Sequence, residues 1–261
     1  MNRLRAACEN KKVLIPYVTC GDPNLEATAD LIRELAAAGA DGLELGIPFS
    51  DCTAEGVLQQ ESNNRALKAG TTPGRIMDMV ADLRAEIDLP IIFVTYANVV
   101  FSCGTERFIR RAAEVGADGL AISDVPFEEK EEFASVCRAY GLEWITAAAP
   151  APRERIETIA AGSEGFICCT AGRKNSGRLV SDLKSMTDLI RRTNDRLICL
   201  AGADGSCEEE LRAAFACADG VTVTGSAVRL TEQLGARAAG SAAQLMSRLK
   251  ASCRQPVSCA S

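Results

Sequence analysis

Apolar residues along the chain switch repeatedly between two periods. Spacing near 3.6 residues marks amphipathic helices at Leu25–Ala38, Thr72–Ile87, Glu106–Val115, Glu128–Tyr140, Arg153–Ala161, Leu183–Arg192, Cys207–Cys217 and Ala227–Leu249. Short β-rich bursts fall between them at Val13–Thr19, Pro90–Tyr96, Glu143–Ala148 and Leu197–Ala201. Four more follow a recurring helix-to-strand turn: Ala38–Leu45 (AGADGLEL), Val115–Ile122 (VGADGLAI), Gly162–Cys169 (GSEGFICC) and Cys217–Thr224 (CADGVTVT). Eight strands alternating with helices, without a linker or a shift in composition, predict an α/β fold: one domain over 1–261, closed as a (β/α)8 TIM barrel. Parallel strands need helical crossovers, and closure leaves no edge unpaired. A doubly wound open sheet is the competing arrangement, yet the first strand and its turn read VLIPYVTCGDP, with no G-x-G-x-x-G. Residues about 1–12 are expected to form a capping helix at one end of the barrel, and about 251–261 a frayed tail.

Composition narrows the chemistry. The chain has 261 residues, 47% of them hydrophobic and 25% charged, with a net charge of −6. Lys and Arg are scattered among Asp and Glu, which argues against a nucleic-acid partner. No secretory leader and no bilayer-length apolar run is evident, so the expectation is a soluble, cytoplasmic protein that does not engage a membrane. Twelve cysteines occur without a single C-x-x-C pair, so no metal centre is expected and most should be small buried apolar residues. Histidine is absent altogether. That removes the commonest general base and metal ligand, leaving acid–base work to carboxylates, Lys, Tyr or Cys.

In such a barrel the chemistry sits at the C-terminal ends of the strands. Within Gly42-Leu43-Glu44-Leu45-Gly46, period-2 alternation turns Leu43 and Leu45 to the helices and points Glu44 into the barrel. A carboxylate there must be paired, solvated or partly protonated. A structural Glu held by an internal Lys or Arg is the competing reading, but the strands carry few inward basic residues. Glu44 is therefore the leading candidate for proton transfer.

The following residues extend the run to LELGIPFSD, which resembles the second-strand signature of tryptophan synthase α subunits, close to ELGVPFSDPLADGP in its usual form. Collinear matches are LIPYVTCGDP at Leu14–Pro23, FVTYANVVF at Phe93–Phe101, DGLAISDVP at Asp118–Pro126 and TGSAVRL at Thr224–Leu230. The resemblance covers about residues 12 to 250. It implies a carbon–carbon lyase of tryptophan biosynthesis that splits indole-3-glycerol phosphate into indole and glyceraldehyde 3-phosphate. It also implies no cofactor of its own, and a hetero-oligomer with a β subunit that carries pyridoxal phosphate. By the same resemblance Glu44 shuttles the proton at C3 of the indole ring, and Glu55, in Ala54-Glu55-Gly56, stands where the family has an aspartate that binds the indole N–H.

Tyr17 and Tyr96 match aromatic positions lining the indole pocket, although the residues alone read equally well as strand-end core. Asp124 matches an acidic strand-end position, with capping as the alternative. Gly177 matches a glycine of the family's loop 6, which helps close over the substrate. Gly202 and Gly205 in loop 7, with Gly225 and Ser226 after the eighth strand, match the phosphate cradle.

The departures are specific. Glu55 is one methylene longer than the family's aspartate, and a solvated loop carboxylate is its competing reading. Gly202-Ala203-Asp204-Gly205-Ser206 replaces GFGIS, which aligns Asp204 with a phosphate-binding glycine. Ser206-Cys207-Glu208-Glu209 reads as a capping box, and Ser226 as the N-cap of the next helix. Loop 6 carries Arg173, Lys174 and Arg178, which could offset Asp204 or remain a solvated basic loop. The family's sixth-strand tyrosine gives way to Cys168-Cys169, and loop 2, which contacts the β subunit in the family, has Cys52-Thr53 and Val57 in place of prolines and leucine. Two other functions stay open on the sequence: a non-catalytic or weakly catalytic α-like subunit that binds a partner, and a barrel enzyme acting on another small substrate, phosphorylated or not.

Overall fold

In the computed structural model, described for residues 2–9, 11–170 and 179–253, eight parallel strands close into a barrel in sequence order. They are β1 (Val13–Thr19), β2 (Leu43–Gly46), β3 (Ile91–Thr95), β4 (Gly119–Ile122), β5 (Glu143–Ala148), β6 (Phe166–Thr170), β7 (Ile198–Ala203) and β8 (Gly220–Val223). The helices are α1 (Arg3–Cys8), α2 (Leu25–Ala37), α3 (Val57–Lys68), α4 (Pro73–Leu83), α5 (Ala97–Cys103), α6 (Thr105–Glu114), α7 (Glu131–Ala139), α8 (Arg153–Ala161), α9 (Leu179–Thr193), α10 (Glu208–Cys217), α11 (Ser226–Leu234) and α12 (Ala238–Cys253).

Strand alternation divides the core in two. Leu14, Leu43, Leu45, Phe93, Leu120, Ile167 and Val221 face outward into the layer shared with the helices. Val13, Ile15, Ile92, Ile145, Phe166 and Leu200 fill the inside of the barrel at its N-terminal end, where Leu4 of α1 closes it. This apolar floor is a packed plug, so only the opposite end is left for chemistry.

The repeated Ala-Asp-Gly turns have a mechanical explanation. Each aspartate sits at the foot of its strand and accepts a backbone N–H from the preceding strand: Asp41 from Leu14 (3.1 Å), Asp118 from Ile91 (3.0 Å) and Asp219 from Cys199 (2.8 Å). Each also meets basic side chains: Lys11 and Lys250 on Asp41, Arg3 and Arg84 on Asp118, and Arg191 on Asp219. The turn that differs in sequence, Ser163-Glu164-Gly165, lacks this clamp. Glu164 is exposed and pairs with Arg138 instead.

Four points of the expected pattern need correction. The pattern between the second and third strands gave no sign of α3, because the residues it buries are Ser62, Asn63 and Ala66 rather than an apolar stripe. The single helix expected over Ala227–Leu249 breaks at Gly235, whose φ of 58° is open to glycine at little cost. Around loop 7 the capping box does not form: α10 starts after Cys207 and no side chain caps it. Short α5 was likewise unmarked in the pattern and is set off from α6 by Gly104 at φ 83°.

Candidate active site

Glu44 lies inside the barrel above the apolar floor, in register with Tyr17 of β1 and Ile92 of β3. It is only 6% exposed, and among the described residues no cation pairs with it. Burial pushes its carboxyl up to about 8. Tyr17, in the neighbouring strand, leans across Gly46. A methyl group at Gly46 would come 2.0 Å from the Tyr17 hydroxyl, so the glycine is what lets the ring lie there. Burial, with Glu55 and Glu44 nearby, raises the Tyr17 phenol well above its ordinary value, and it remains a neutral donor. From β6, Cys168 feels the charge of Glu44, and burial lifts its thiol to about 12.

Glu55, in the loop leading into α3, is half-buried rather than solvated. Burial raises its carboxyl to about 7, opposed by a hydrogen bond that Asn63 Nδ2 donates to Oε2 at 3.0 Å. Tyr96 immediately precedes α5, is buried, and rests against Phe49 with ring centroids 5.3 Å apart. Burial and the charge of Glu55 raise its phenol as well. The structure therefore gathers Glu44, Glu55, Tyr17 and Tyr96 at one end of the barrel. Asp124 has a different duty there, accepting the Ala97 N–H at 2.8 Å at the start of α5.

The residues expected to cradle a phosphate lie where β7 and β8 run out. α11 begins at Ser226 with no side-chain cap, so the first N–H groups of the helix have no intrahelical partner. Ser226 stands one residue inside the helix instead of capping it, and its hydroxyl donates to the Gly205 carbonyl at 3.0 Å. Gly205 has φ 76°, and a side chain there would meet Ser226 Oγ at 2.3 Å. At Gly225 an added methyl would meet Asp204 Oδ1 at 2.2 Å, so Asp204 lies directly over the start of α11. Gly202 has no such crowding, since an added carbon meets nothing closer than 3.7 Å. Gly177, Arg173, Lys174 and Arg178 lie outside the described residues.

Sequence reasoning missed one cation that meets Asp204. It is Arg229 of α11, which donates to Asp204 Oδ2 at 2.8 Å and to its carbonyl at 3.0 Å. Twenty-five residues separate the pair, and a basic residue one turn into the helix was the only available signal. Also missed was the polar face of α3. Arg65 and Ser62 hold Asp22 of the first loop, Gln59 donates to the Thr224 carbonyl at 3.2 Å, and Asn63 holds Phe49 and Glu55. Among the described residues no group of three or more Cys, Asp or Glu is arranged to hold a metal, and no helix is long and apolar enough to cross a membrane.

Comparison with known proteins agrees with this geometry. The family model for the tryptophan synthase alpha chain matches residues 4–258. A tryptophan synthase alpha chain of Halalkalibacterium halodurans is 37% identical over 238 residues, covering 90% of each chain. One from Alkaliphilus metalliredigens is 40% identical over 196 residues, or 73% of each. The crystal structure of tryptophan synthase subunit alpha from Legionella pneumophila superposes with a TM-score of 0.87 at 29% identity, covering 97% of this chain and 98% of that one. A chain of the tryptophan synthase complex from Pyrococcus furiosus gives 0.81 at 28% identity, covering 92% and 98%. A closed barrel, an inward glutamate on its second strand and relatives matched over most of their length lead to one conclusion: the chain belongs to the tryptophan synthase alpha chain family, lyases that cleave indole-3-glycerol phosphate.

Proposed function

We propose that Glu44 carries the proton transfers of this cleavage and Glu55 stabilises the charge on the ring, with the substrate phosphate held at the start of α11. The observation that carries the reading is Glu44 itself: a buried carboxyl that no cation among the described residues meets, raised to about 8, holds its proton at neutral pH. It donates that proton to C3 of the indole ring, while Glu55, ionised above about 7, accepts the hydrogen bond of the ring N–H and offsets the positive charge that develops there. Glu44, now a carboxylate, takes the proton of the hydroxyl on the side-chain carbon bonded to C3. The bond between that carbon and C3 breaks, its electron pair restores the aromatic ring, and the former alcohol leaves as the aldehyde. Indole and glyceraldehyde 3-phosphate account for every atom, and Glu44 ends protonated. Acid–base catalysis of this kind supplies roughly 10²–10⁴ in rate.

Tyr17 and Tyr96 form the walls for the ring, their neutral phenols adding stacking area with a polar tip. Ser226, the N–H groups at the start of α11, Gly225, Gly205 and Gly202 make up the phosphate cradle, and Gly177 joins it by family resemblance alone. The chain works as one barrel domain needing no cofactor of its own, in the cytoplasm, and partners a β subunit that carries pyridoxal phosphate. The presence of a tryptophan synthase complex among its structural neighbours supports that partnership.

The test is direct. Purified protein supplied with indole-3-glycerol phosphate, with and without a β subunit, should release indole, and Glu44→Gln should abolish release. No indole under either condition refutes the proposed reaction, and a fully active Glu44→Gln variant refutes the role of Glu44. Saturable β-subunit binding without turnover would instead identify a non-catalytic subunit.

A further inference from the structure

We propose that Asn63 is a positioning residue for the reaction: its side-chain amide fixes the lengthened Glu55 arm and ties it to the loop that follows Glu44. The proposal rests on the role assigned to Glu55 above.

Asn63 lies on α3 and is 3% exposed, so its polar atoms must find partners inside the protein. They do. Oδ1 accepts the Phe49 N–H at 3.0 Å, and Nδ2 donates to the Gln59 carbonyl at 2.7 Å and to Glu55 Oε2 at 3.0 Å. This set of partners determines which way the amide faces. A backbone N–H only donates, so the amide oxygen must turn to Phe49, and a carbonyl only accepts, so the nitrogen must turn to Gln59. Once both are satisfied, the second amide N–H has one direction left, and Glu55 is there.

The consequence addresses the main departure from the family. A glutamate has one more rotatable bond than an aspartate, and immobilising such an arm costs up to about 2 kcal/mol of rotamer freedom. Here a rigid, buried donor holds one carboxylate oxygen and leaves Oε1 for the substrate N–H. The backbone is held as well, since Gln60 Nε2 donates to the Glu55 carbonyl at 2.9 Å. Because Phe49 lies five residues beyond Glu44, Asn63 also references Glu55 to the strand that carries the proton shuttle. Among the described residues, Tyr17 of β1, Tyr96 just after β3 and Cys52 of its own loop feel the charge of Glu55. All three are raised and therefore neutral near pH 7. Among the described residues, Asn63 is accordingly the group that favours the ionised form of Glu55 against burial.

Asn63→Asp tests this, because it keeps an acceptor for the Phe49 N–H and replaces the donor facing Glu55 with a second carboxylate, while also giving up the bond to the Gln59 carbonyl. Expected are a drop in kcat on the order of tenfold to a hundredfold, KM changed by less than about threefold, and an acidic limb of kcat/KM moved to higher pH. In protein labelled with 13C at glutamate carboxyls, the Glu55 titration should move the same way, independently of turnover. A folded Asn63→Asp with wild-type kcat and an unmoved Glu55 titration overturns the proposal. Should that variant not fold, Asn63→Ser, too short to reach Glu55, gives the same two readouts with the same meaning. Glu55→Gln run in parallel separates the layers. If Glu55→Gln is inactive while Asn63→Asp is not impaired, only the positioning role falls. If Glu55→Gln retains full turnover, the assignment of Glu55 falls and this proposal with it.

Discussion

Replacing Glu44 by glutamine should stabilise the protein while abolishing its activity, and the gain should grow with pH. A carboxyl whose folded-state pKa is raised helps the native state only while protonated. Its contribution is fully present below the unfolded value of 4.5 and is lost as pH rises towards the folded value of about 8. The loss is about 1.4 kcal/mol per pH unit across that window. Wild type should therefore lose roughly 3 kcal/mol from this one group between about pH 5 and about pH 7. The neutral amide of the Glu44→Gln variant cannot titrate, so its own burial cost is the same at every pH. Urea unfolding of both proteins at several pH values, compared as the difference in free energy, isolates the effect because constant terms cancel in the slope. The expected result is a difference that tilts towards the variant by on the order of 1 kcal/mol per pH unit and flattens above about pH 8. A difference independent of pH would refute the reasoning. It would mean that Glu44 is already ionised in the folded state, held by a cation or by water, and that its proton is not available for the indole ring at neutral pH.

Because Glu55 must be ionised and Glu44 protonated, kcat/KM should follow a narrow bell between about 7 and about 8, and a flat profile from about pH 6 to about pH 9 would contradict the division of labour. Asp204→Ala should lower KM for indole-3-glycerol phosphate by about fivefold, ~1 kcal/mol, since it removes an anion over the start of α11 and frees Arg229 for the phosphate; an unchanged or higher KM in steady-state assays argues against phosphate at that site. Asp41→Asn should cost about 1–3 kcal/mol at pH 7 in denaturant titration. Burial raises the Asp41 carboxyl, but hydrogen bonds from Lys11, Lys250 and Leu14 outweigh it and leave the pKa lowered, so this stability is present above the ordinary value of 3.8 and disappears as pH falls below it. Gly46→Ala should displace the Tyr17 ring, costing about 1–3 kcal/mol and most of the turnover, and full activity would mean that Tyr17 does not border the indole site.

Much of this protein was legible in its sequence. The alternation of 2.0 and 3.6 periods foretold the eight strands, and it directed Glu44 inward with Leu43 and Leu45 outward, because burial along one element is written in neighbouring residues. The LELGIPFSD run and its collinear companions led to the family. The repeated Ala-Asp-Gly turns were visible too, although their purpose emerged only when closure set each carboxylate against the N–H of the preceding strand. What tertiary structure alone decided is the polar bracing of the site. α3 buries Ser62 and Asn63 instead of an apolar stripe, so no hydrophobic period announces it. Asp204 stands beside Arg229, Asp22 beside Arg65, and Gln59 reaches Thr224, which is 165 residues away. Periodicity reports which face of an element is buried, whereas a hydrogen bond between loops depends on two backbones being brought within about 3 Å. In this chain the closing of β8 onto β1 brings the loops together at one end of the barrel, and no local pattern encodes that distance.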